Sequence, residues 1–386
     1  MKNFMTTFSF ELPTGIVFGP GCVKELANEL QKLGVSRPLV VTDTGIVKVG
    51  ILDKVLAFLP KTMEYSIFDG VEPNPKDKNV SAGAKAYKDF NADCILAIGG
   101  GSSIDCAKSI GVLVANEATD IKPFEGKGKP SKPLPPLVCV PTTSGTGSEL
   151  TFSSVITDTK NDYKMTVKNQ FTAPKLAICD PELTLTCPPE ITAACGVDAL
   201  THAIEAYTVN CSEPISDAVA LYAIELIYAN LVTCVKDGNN IEARSRMLMG
   251  SMLGGIAFSH SDVASVHCIA EALGGMYDLP HGTCNAIFLS YMMEYCMEYC
   301  EDHYARVARA MGITPDTGRA GAEAAVNAVK QLAKDVNLPS FADLKVDPAD
   351  FDKIAEISAK NISTDSNPRP MAKEDYINVL NMAMKG

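Results

Sequence analysis

An α/β domain followed by an all-helical domain is the fold class predicted for this chain, and three observations predict it. The chain has 386 residues, more than one hydrophobic core usually holds, so two domains are expected. Short apolar runs and amphipathic stretches alternate through the first half, the pattern of a parallel sheet with helices on its faces. From about Pro188 onward the β-branched clusters thin out and helical periodicity takes over.

The elements follow in order. Phe8–Leu12 and Gly15–Gly19 flank Pro13-Thr14 and read as a short edge hairpin. Pro38–Thr42, Cys94–Ile98, Leu137–Val140 and Leu176–Cys179 are continuous apolar runs, as strands covered on both faces require. Val23–Leu33, Ile51–Phe58, Lys76–Phe90 and Ile104–Ala115 lie between them and are helix-like. Asp180-Pro181 and Cys187-Pro188-Pro189 punctuate the change of pattern, so the boundary falls between Cys187 and Pro189. This divides the chain into an α/β domain, 1–187, and a helical domain, 188–386. The second contains candidate helices at Ile191–Tyr207, Ser216–Val235, Ile241–Phe258, Asp262–Met276, Gly321–Val336 and Phe351–Lys360.

Composition excludes several classes. Lys and Arg number 34 against 46 Asp and Glu, a net −12. That balance argues against nucleic acid as a main partner, since phosphate binding needs a basic patch. No run of 18 apolar residues occurs, so no membrane-spanning helix is expected. The opening residues are interrupted by polar and charged side chains and do not read as a secretory signal. Thirteen scattered cysteines without a C-x-x-C pair read as reduced packing residues of a cytoplasmic protein.

Two loops stand at strand ends. Gly99-Gly100-Gly101-Ser102-Ser103 joins a strand to a helix, a place where amide N–H groups and the helix terminus suit a pyrophosphate. It is neither G-x-G-x-x-G nor G-x-x-x-x-G-K-[ST], and an ordinary βα turn would look the same. Pro141-Thr142-Thr143-Ser144-Gly145-Thr146-Gly147-Ser148-Glu149 follows another strand and is dense in hydroxyls. Two such loops on one sheet edge favour a dinucleotide crevice. Asp43, at the end of a strand, would accept from a ribose 2′-hydroxyl and favour NAD over NADP; a helix cap or turn explains it equally well.

Five histidines occur. His202 follows Asp198 by four residues, which places both on one helix face. His267 and His281 can complete a set of four. Mixed nitrogen and oxygen donors suit Fe²⁺, Zn²⁺ or Mn²⁺ better than Ca²⁺ or Mg²⁺.

These residues resemble a known family nearly end to end. Gly99–Lys108, Pro141–Thr151, Gly196–Glu205, His267–Ala286 and Asn367-Pro368-Arg369-Pro370 are similar to the iron-containing (group III) alcohol dehydrogenases. The resemblance implies a Rossmann-like N-terminal domain, an all-α C-terminal domain of the dehydroquinate synthase-like kind, and an active site between them. It implies a divalent metal, most often Fe²⁺, on Asp198, His202, His267 and His281. It implies NAD(H) contacts from Asp43, Asn74, Gly100, Gly101, Ser102, Thr142, Thr143, Thr151, Lys164 and Leu183, with Phe258 flanking the substrate. The implied activity is reversible hydride transfer between NAD(H) and a small primary alcohol or aldehyde of the ethanol, propanediol or lactaldehyde kind. A homodimer or larger homo-oligomer is expected. Alternatives are a 4-hydroxybutyrate or sulfonate-aldehyde dehydrogenase, or a non-catalytic assembly module.

The chain departs from the family pattern twice. His267-Cys268-Ile269-Ala270-Glu271 carries Glu271 where a second histidine is usual, and Ala257-Phe258-Ser259-His260 ends in His260 in place of asparagine. Glu271, four residues after His267, is a candidate for proton relay or for orienting a ligand. Cys268, beside His267, is the thiol expected to be most open to oxidation.

Overall fold

The computed structural model describes residues 7–314 and 317–386. It contains two compact units. One comprises Leu12–Thr143 and Gly147–Cys187; the other comprises Pro188–Gly386, the loop segment Ser144–Thr146 and the described residues up to Glu11.

In chain order the α/β unit runs β1 (Gly15–Phe18), α1 (Leu26–Leu33), β2 (Pro38–Val41), α2 (Thr44–Lys48), α3 (Ile51–Leu56), β3 (Ser66–Phe68), α4 (Asp77–Phe90), β4 (Cys94–Gly99) and α5 (Gly101–Ala115). It continues with β5 (Gly126–Lys127), β6 (Leu137–Pro141), β7 (Ser153–Asp158), β8 (Tyr163–Lys168) and β9 (Leu176–Cys179). Six strands form one parallel sheet in the order β1-β9-β6-β4-β2-β3. Alternate residues feed two cores. Leu39, Val41, Ile95, Ala97, Leu137 and Cys139 pack with Val80, Ala84 and Ile110 on one face. Val40, Leu96, Ile98, Val138 and Val140 pack with Leu26, Leu30 and Val55 on the other. Burial on both faces explains why these strands read as unbroken apolar runs.

The opening hairpin does not form. The described residues before β1 make no strand, and β1 pairs in parallel with β9, Gly15 opposite Leu176. Pro13-Thr14 resembles a turn, but the strand finds its partner some 160 residues away. A hairpin exists elsewhere: β7 and β8 pair antiparallel, Val155 opposite Thr166, in a small second sheet with β5.

The helical unit runs α6 (Pro189–Thr208), α7 (Pro214–Lys236), α8 (Ile241–His260), α9 (Ser265–Tyr277), α10 (His281–Tyr295), α11 (Met297–Ala310), α12 (Gly318–Asp335), α13 (Phe351–Ala359) and α14 (Lys373–Lys385). One apolar cluster joins them, from Val197 and Ile224 to Phe288, Tyr304 and Leu380. Contrary to the expectation of no spanning candidate, α7 is long and apolar enough to cross a bilayer by length and composition, with mean hydropathy 1.8 over an 18-residue window. Its buried side, through Ala220, Ala223, Ile227 and Leu231, belongs to the helical core. All thirteen cysteines are free thiols.

Candidate metal centre and dinucleotide loops

Helix α6 carries Asp198 and His202 one turn apart, so both point the same way. His267 is the third residue of α9 and His281 the first of α10. Four ligand atoms, one from each of these residues, lie within 4.8 Å of one another. Gly282 permits the approach of α10 to α6: a Cβ there would stand 3.1 Å from the Ala194 carbonyl oxygen and 3.4 Å from Asp198 Cβ. The imidazoles follow one another in a tilted series, with 4.5 Å between the rings of His202 and His267 and 5.3 Å between those of His267 and His281.

The donor set fits a cation. Burial pulls the His202 pKa down to about 4, against the opposing charge of Asp198, so this ring is neutral at physiological pH, as ligation requires. Burial also pulls His267 down, but the charge and hydrogen bond of Glu205 outweigh it and the net shift is upward. Asn285 Nδ2 donates to Asp198 Oδ1 at 2.7 Å and lies 3.0 Å from His267 Nε2 and 3.1 Å from His281 Nε2. An amide nitrogen has two protons and here lies within hydrogen-bond distance of three atoms, the two imidazole nitrogens accepting only where the tautomer leaves them a lone pair. His202 Nδ1, also buried, has no hydrogen-bond partner. Donor atoms of four side chains thus converge on a few amide protons, an arrangement that can accommodate a cation. One carboxylate and three imidazoles suit Fe²⁺, Zn²⁺ or Mn²⁺.

Phe258 stacks on His202 with 4.6 Å between ring centroids and is half-buried. Glu271 lies outside the four-residue cluster; its Oε2 accepts from Asn361 Nδ2 at 2.6 Å. His260 stacks on Phe10 at 3.9 Å and its ring nitrogens meet the carbonyls of Ile256 and Glu11, a structural placement. Cys268 is fully buried, and burial pushes its thiol well above the usual range. The expectation of easy oxidation is therefore corrected, because the reactive species is an accessible thiolate.

In the α/β unit, parallel register sets the loops side by side. Val41 lies opposite Ala97, and Gly99 opposite Pro141. The carboxyl ends of β2, β4 and β6 thus deliver Asp43, Gly100-Gly101-Ser102 and Thr142-Thr143 to one edge. Gly99 has φ +152°, and a Cβ there would come within 2.6 Å of Ser103 Oγ, so only glycine allows this turn. Helix α5 starts at Gly101 with no side-chain cap, leaving its first N–H groups available.

Asp43 caps α2 through Gly45 N and Ile46 N and accepts from Ser103 Oγ at 3.0 Å; it is half-buried. Thr142 is buried, and its hydroxyl has no hydrogen-bond partner. Lys164 Nζ donates to Asn74 Oδ1 at 2.8 Å, and Asn74 holds φ 49°. Thr151 and Leu183 are each 1% exposed. The Thr151 hydroxyl accepts from Lys108, and Leu183 packs in the sheet core.

Three groups were missed in the sequence. Glu205 accepts from His267 Nδ1 at 2.5 Å; its signal is the Asp-His-Glu stripe at 198, 202 and 205. Asn285 follows His281 by one helical turn. Lys108 is fully buried and donates to Thr151 O, Thr151 Oγ1 and Ser153 O, while Asp105, one turn before it, accepts from Ser148 Oγ and Val155 N. Together they tie the helix that begins at the first loop to the strand and turn that follow the second.

The chain is similar to known proteins over nearly its whole length. Residues 13–181 match the family "Iron-containing alcohol dehydrogenase", and residues 192–384 match "Fe-containing alcohol dehydrogenase family, C-terminal". A choline dehydrogenase of Bacillus subtilis is 38% identical over 97% of this chain and 94% of its own length. A 1,3-propanediol dehydrogenase of Klebsiella pneumoniae is 38% identical over 97% of this chain and 98% of its own. A crystal structure of 1,3-propanediol oxidoreductase superposes with a TM-score of 0.94 at 38% identity, covering 98% of this chain and 100% of that one.

Proposed function

This chain belongs to the iron-containing alcohol dehydrogenase family, and from that premise we propose that it moves hydride reversibly between NAD(H) and a small primary alcohol or aldehyde, with a divalent metal held by Asp198, His202, His267 and His281. It is an oxidoreductase of the alcohol dehydrogenase type. The observation that carries the metal assignment is the convergence of these four donors within 4.8 Å. Fe²⁺ is the metal proposed, with Zn²⁺ and Mn²⁺ as substitutes of matching donor preference.

When bound, the metal supplies Lewis acidity toward the substrate oxygen and the nicotinamide carries the hydride. The protein's part is placement. Asp198 would contribute one negative charge, and imidazoles that ligate through a lone pair none, so the donor set would leave a divalent ion electrophilic. Phe258, stacked on His202, gives the substrate an apolar wall. Glu271, held by Asn361, passes the hydroxyl proton toward solvent. The amides of Gly100, Gly101 and Ser102 at the start of α5 hold the pyrophosphate. Asp43 takes a ribose hydroxyl and rejects a 2′-phosphate by charge. Thr142, Thr143, Asn74 and Lys164 offer hydrogen bonds along the same dinucleotide, with Thr151 and Leu183 supporting it from below.

The free thiols fit the reducing cytoplasm. The outer edge of β1 leaves ladder groups for pairing with a second copy, in keeping with a homodimer or larger assembly. An anaerobic screen of C2–C4 alcohols, diols and aldehydes, followed by NADH absorbance after reconstitution with Fe²⁺, Zn²⁺ or Mn²⁺, tests the reading. Metal-dependent turnover of a primary alcohol is expected. Turnover that is indifferent to metal contradicts it.

A further inference from the structure

Helix α6 presents a third polar side chain on the stripe that carries Asp198 and His202. Glu205 follows them by seven and three residues, so all three share one face. It is 4% exposed, and a buried carboxylate needs donors. They come from the start of α9. Ala264 N donates to Oε2 at 2.9 Å, Val266 N to Oε1 at 2.8 Å, and His267 Nδ1 to Oε2 at 2.5 Å.

Two features of α9 give this arrangement a purpose beyond pairing. The helix has no cap of its own, because Ala264 at its N-terminal boundary offers no side-chain acceptor. Asn367 Oδ1 accepts from Ser265 N, and without Glu205 the flanking N–H groups of Ala264 and Val266 would be buried and unpaired. Moreover, His267 sits in that same first turn. An imidazole that donates from Nδ1 keeps its lone pair on Nε2, and Nε2 is the atom beside Asn285, 3.0 Å away, in the cluster with Asp198 and His281.

We propose that Glu205 is a positioning residue of the metal centre: one carboxylate caps α9 and holds His267 in the Nδ1–H tautomer, so that Nε2 faces the cation. The proposal rests on the metal-centre reading above. Glu205 is not itself a ligand, since both of its oxygens are engaged by α9. Glu205→Gln keeps the shape but sets an amide NH₂ against N–H donors on one side. Either the first turn of α9 loosens or the imidazole changes tautomer.

The test is the Zn²⁺ affinity of metal-stripped protein, measured by competition with a chromophoric chelator. Thermal midpoints and ¹⁵N spectra of the histidine rings are recorded alongside. Glu205→Gln is expected to bind Zn²⁺ about 10–100-fold more weakly, the usual range for such partners, and to lose the Nδ1–H signature of His267. Ala264→Ser, added to Glu205→Gln, supplies a local cap; it is expected to restore thermal stability but not affinity. Wild-type affinity in Glu205→Gln, or recovery of affinity with the added cap, would reduce Glu205 to a helix cap and overturn the proposal. Should Glu205→Gln fail to fold, Glu205→Asp keeps the charge with a shorter reach. An affinity loss there supports the proposal, and unchanged affinity overturns it. Failure of the wild type to bind Zn²⁺, Fe²⁺ or Mn²⁺ would instead remove the metal-centre reading.

Discussion

The two units bury polar groups to opposite ends. In the α/β unit, Lys108 has no exposure yet meets three acceptors on Thr151 and Ser153. Asp105 beside it is met by Ser148 and Val155. Their partners are internal, and the result is a rigid join between two loops. In the helical unit, one ligand atom each from Asp198, His202, His267 and His281 converges within 4.8 Å of the others. Buried polar groups met by internal partners are architecture, whereas a convergence of metal-ligating side chains is a candidate cation site. In sequence the two look alike, because a lysine just after a glycine loop suggests phosphate binding as strongly as an Asp–His pair suggests metal.

The contrast breaks most sharply at His281. Removing a donor from the four-residue cluster should abolish function while sparing the fold, because His281 opens a helix and is only half-buried. For His281→Ala we expect loss of bound metal and a fall in kcat/KM of roughly 10³-fold or more, as befits loss of Lewis-acid catalysis. Metal analysis and circular dichroism would check both parts.

Lys108 should behave in the opposite way. Lys108→Met strands Asp105 without its buried counter-charge, at a cost of about 3–5 kcal/mol readable in a urea titration. NADH affinity should weaken with it, while Zn²⁺ binding by the helical unit stays as in the wild type. Loss of metal from Lys108→Met would erase the distinction between the units.

Glu149 sharpens the comparison, since it is the unmatched acid of the α/β unit. It is buried, and its Oε1 has no hydrogen-bond partner. Burial lifts its pKa from the ordinary 4.5 to about 7, against smaller opposing pulls from its own backbone N–H and from Lys108. The unfolded chain releases this proton near pH 4.5 and the folded chain near 7, so the folded state holds more protons in that window. Stability therefore falls as pH rises through it, by on the order of 2–3 kcal/mol from this group. Glu149→Gln should remove that slope between pH 5 and 8 in chemical unfolding. An unchanged slope would show that Glu149 ionises freely.

The smallest effect belongs to Glu271, which stands beside the cluster but outside it. Glu271→Gln should lower kcat by about tenfold and alter the pH–rate profile, within or below the range for proton transfer, with metal content unchanged. If neither rate nor profile moves, Glu271 has no relay role.

Much of the architecture was legible in the sequence. Strands such as Cys94–Ile98 could be read because burial on both faces leaves an unbroken apolar run, and β4 indeed spans Cys94–Gly99. The Asp198–His202 spacing was legible because a helix makes i and i+4 neighbours. What could not be read was what three-dimensional packing supplies. No local signal pairs β1 with β9 or places α9 and α10 against α6. The β7–β8 hairpin carries Asp158, Lys164 and Lys168 and so lacks the apolar contrast of the central strands. Helix α10 is apolar on too many sides for clear periodicity, and it begins at His281, where Asp278-Leu279-Pro280 reads as a simple turn. Glu205 went unread because a buried carboxylate shows its purpose only when its donors are known.

The central claim is that the helical unit's four donors hold a divalent metal on which alcohol oxidation depends. The most direct measurement is anaerobic Fe²⁺ titration of the metal-stripped protein, with binding stoichiometry and NADH production from a primary alcohol followed together. The account predicts one ion per chain, activity that rises in step with occupancy, and neither in His281→Ala. Full activity in the stripped protein, or in that variant, would contradict it.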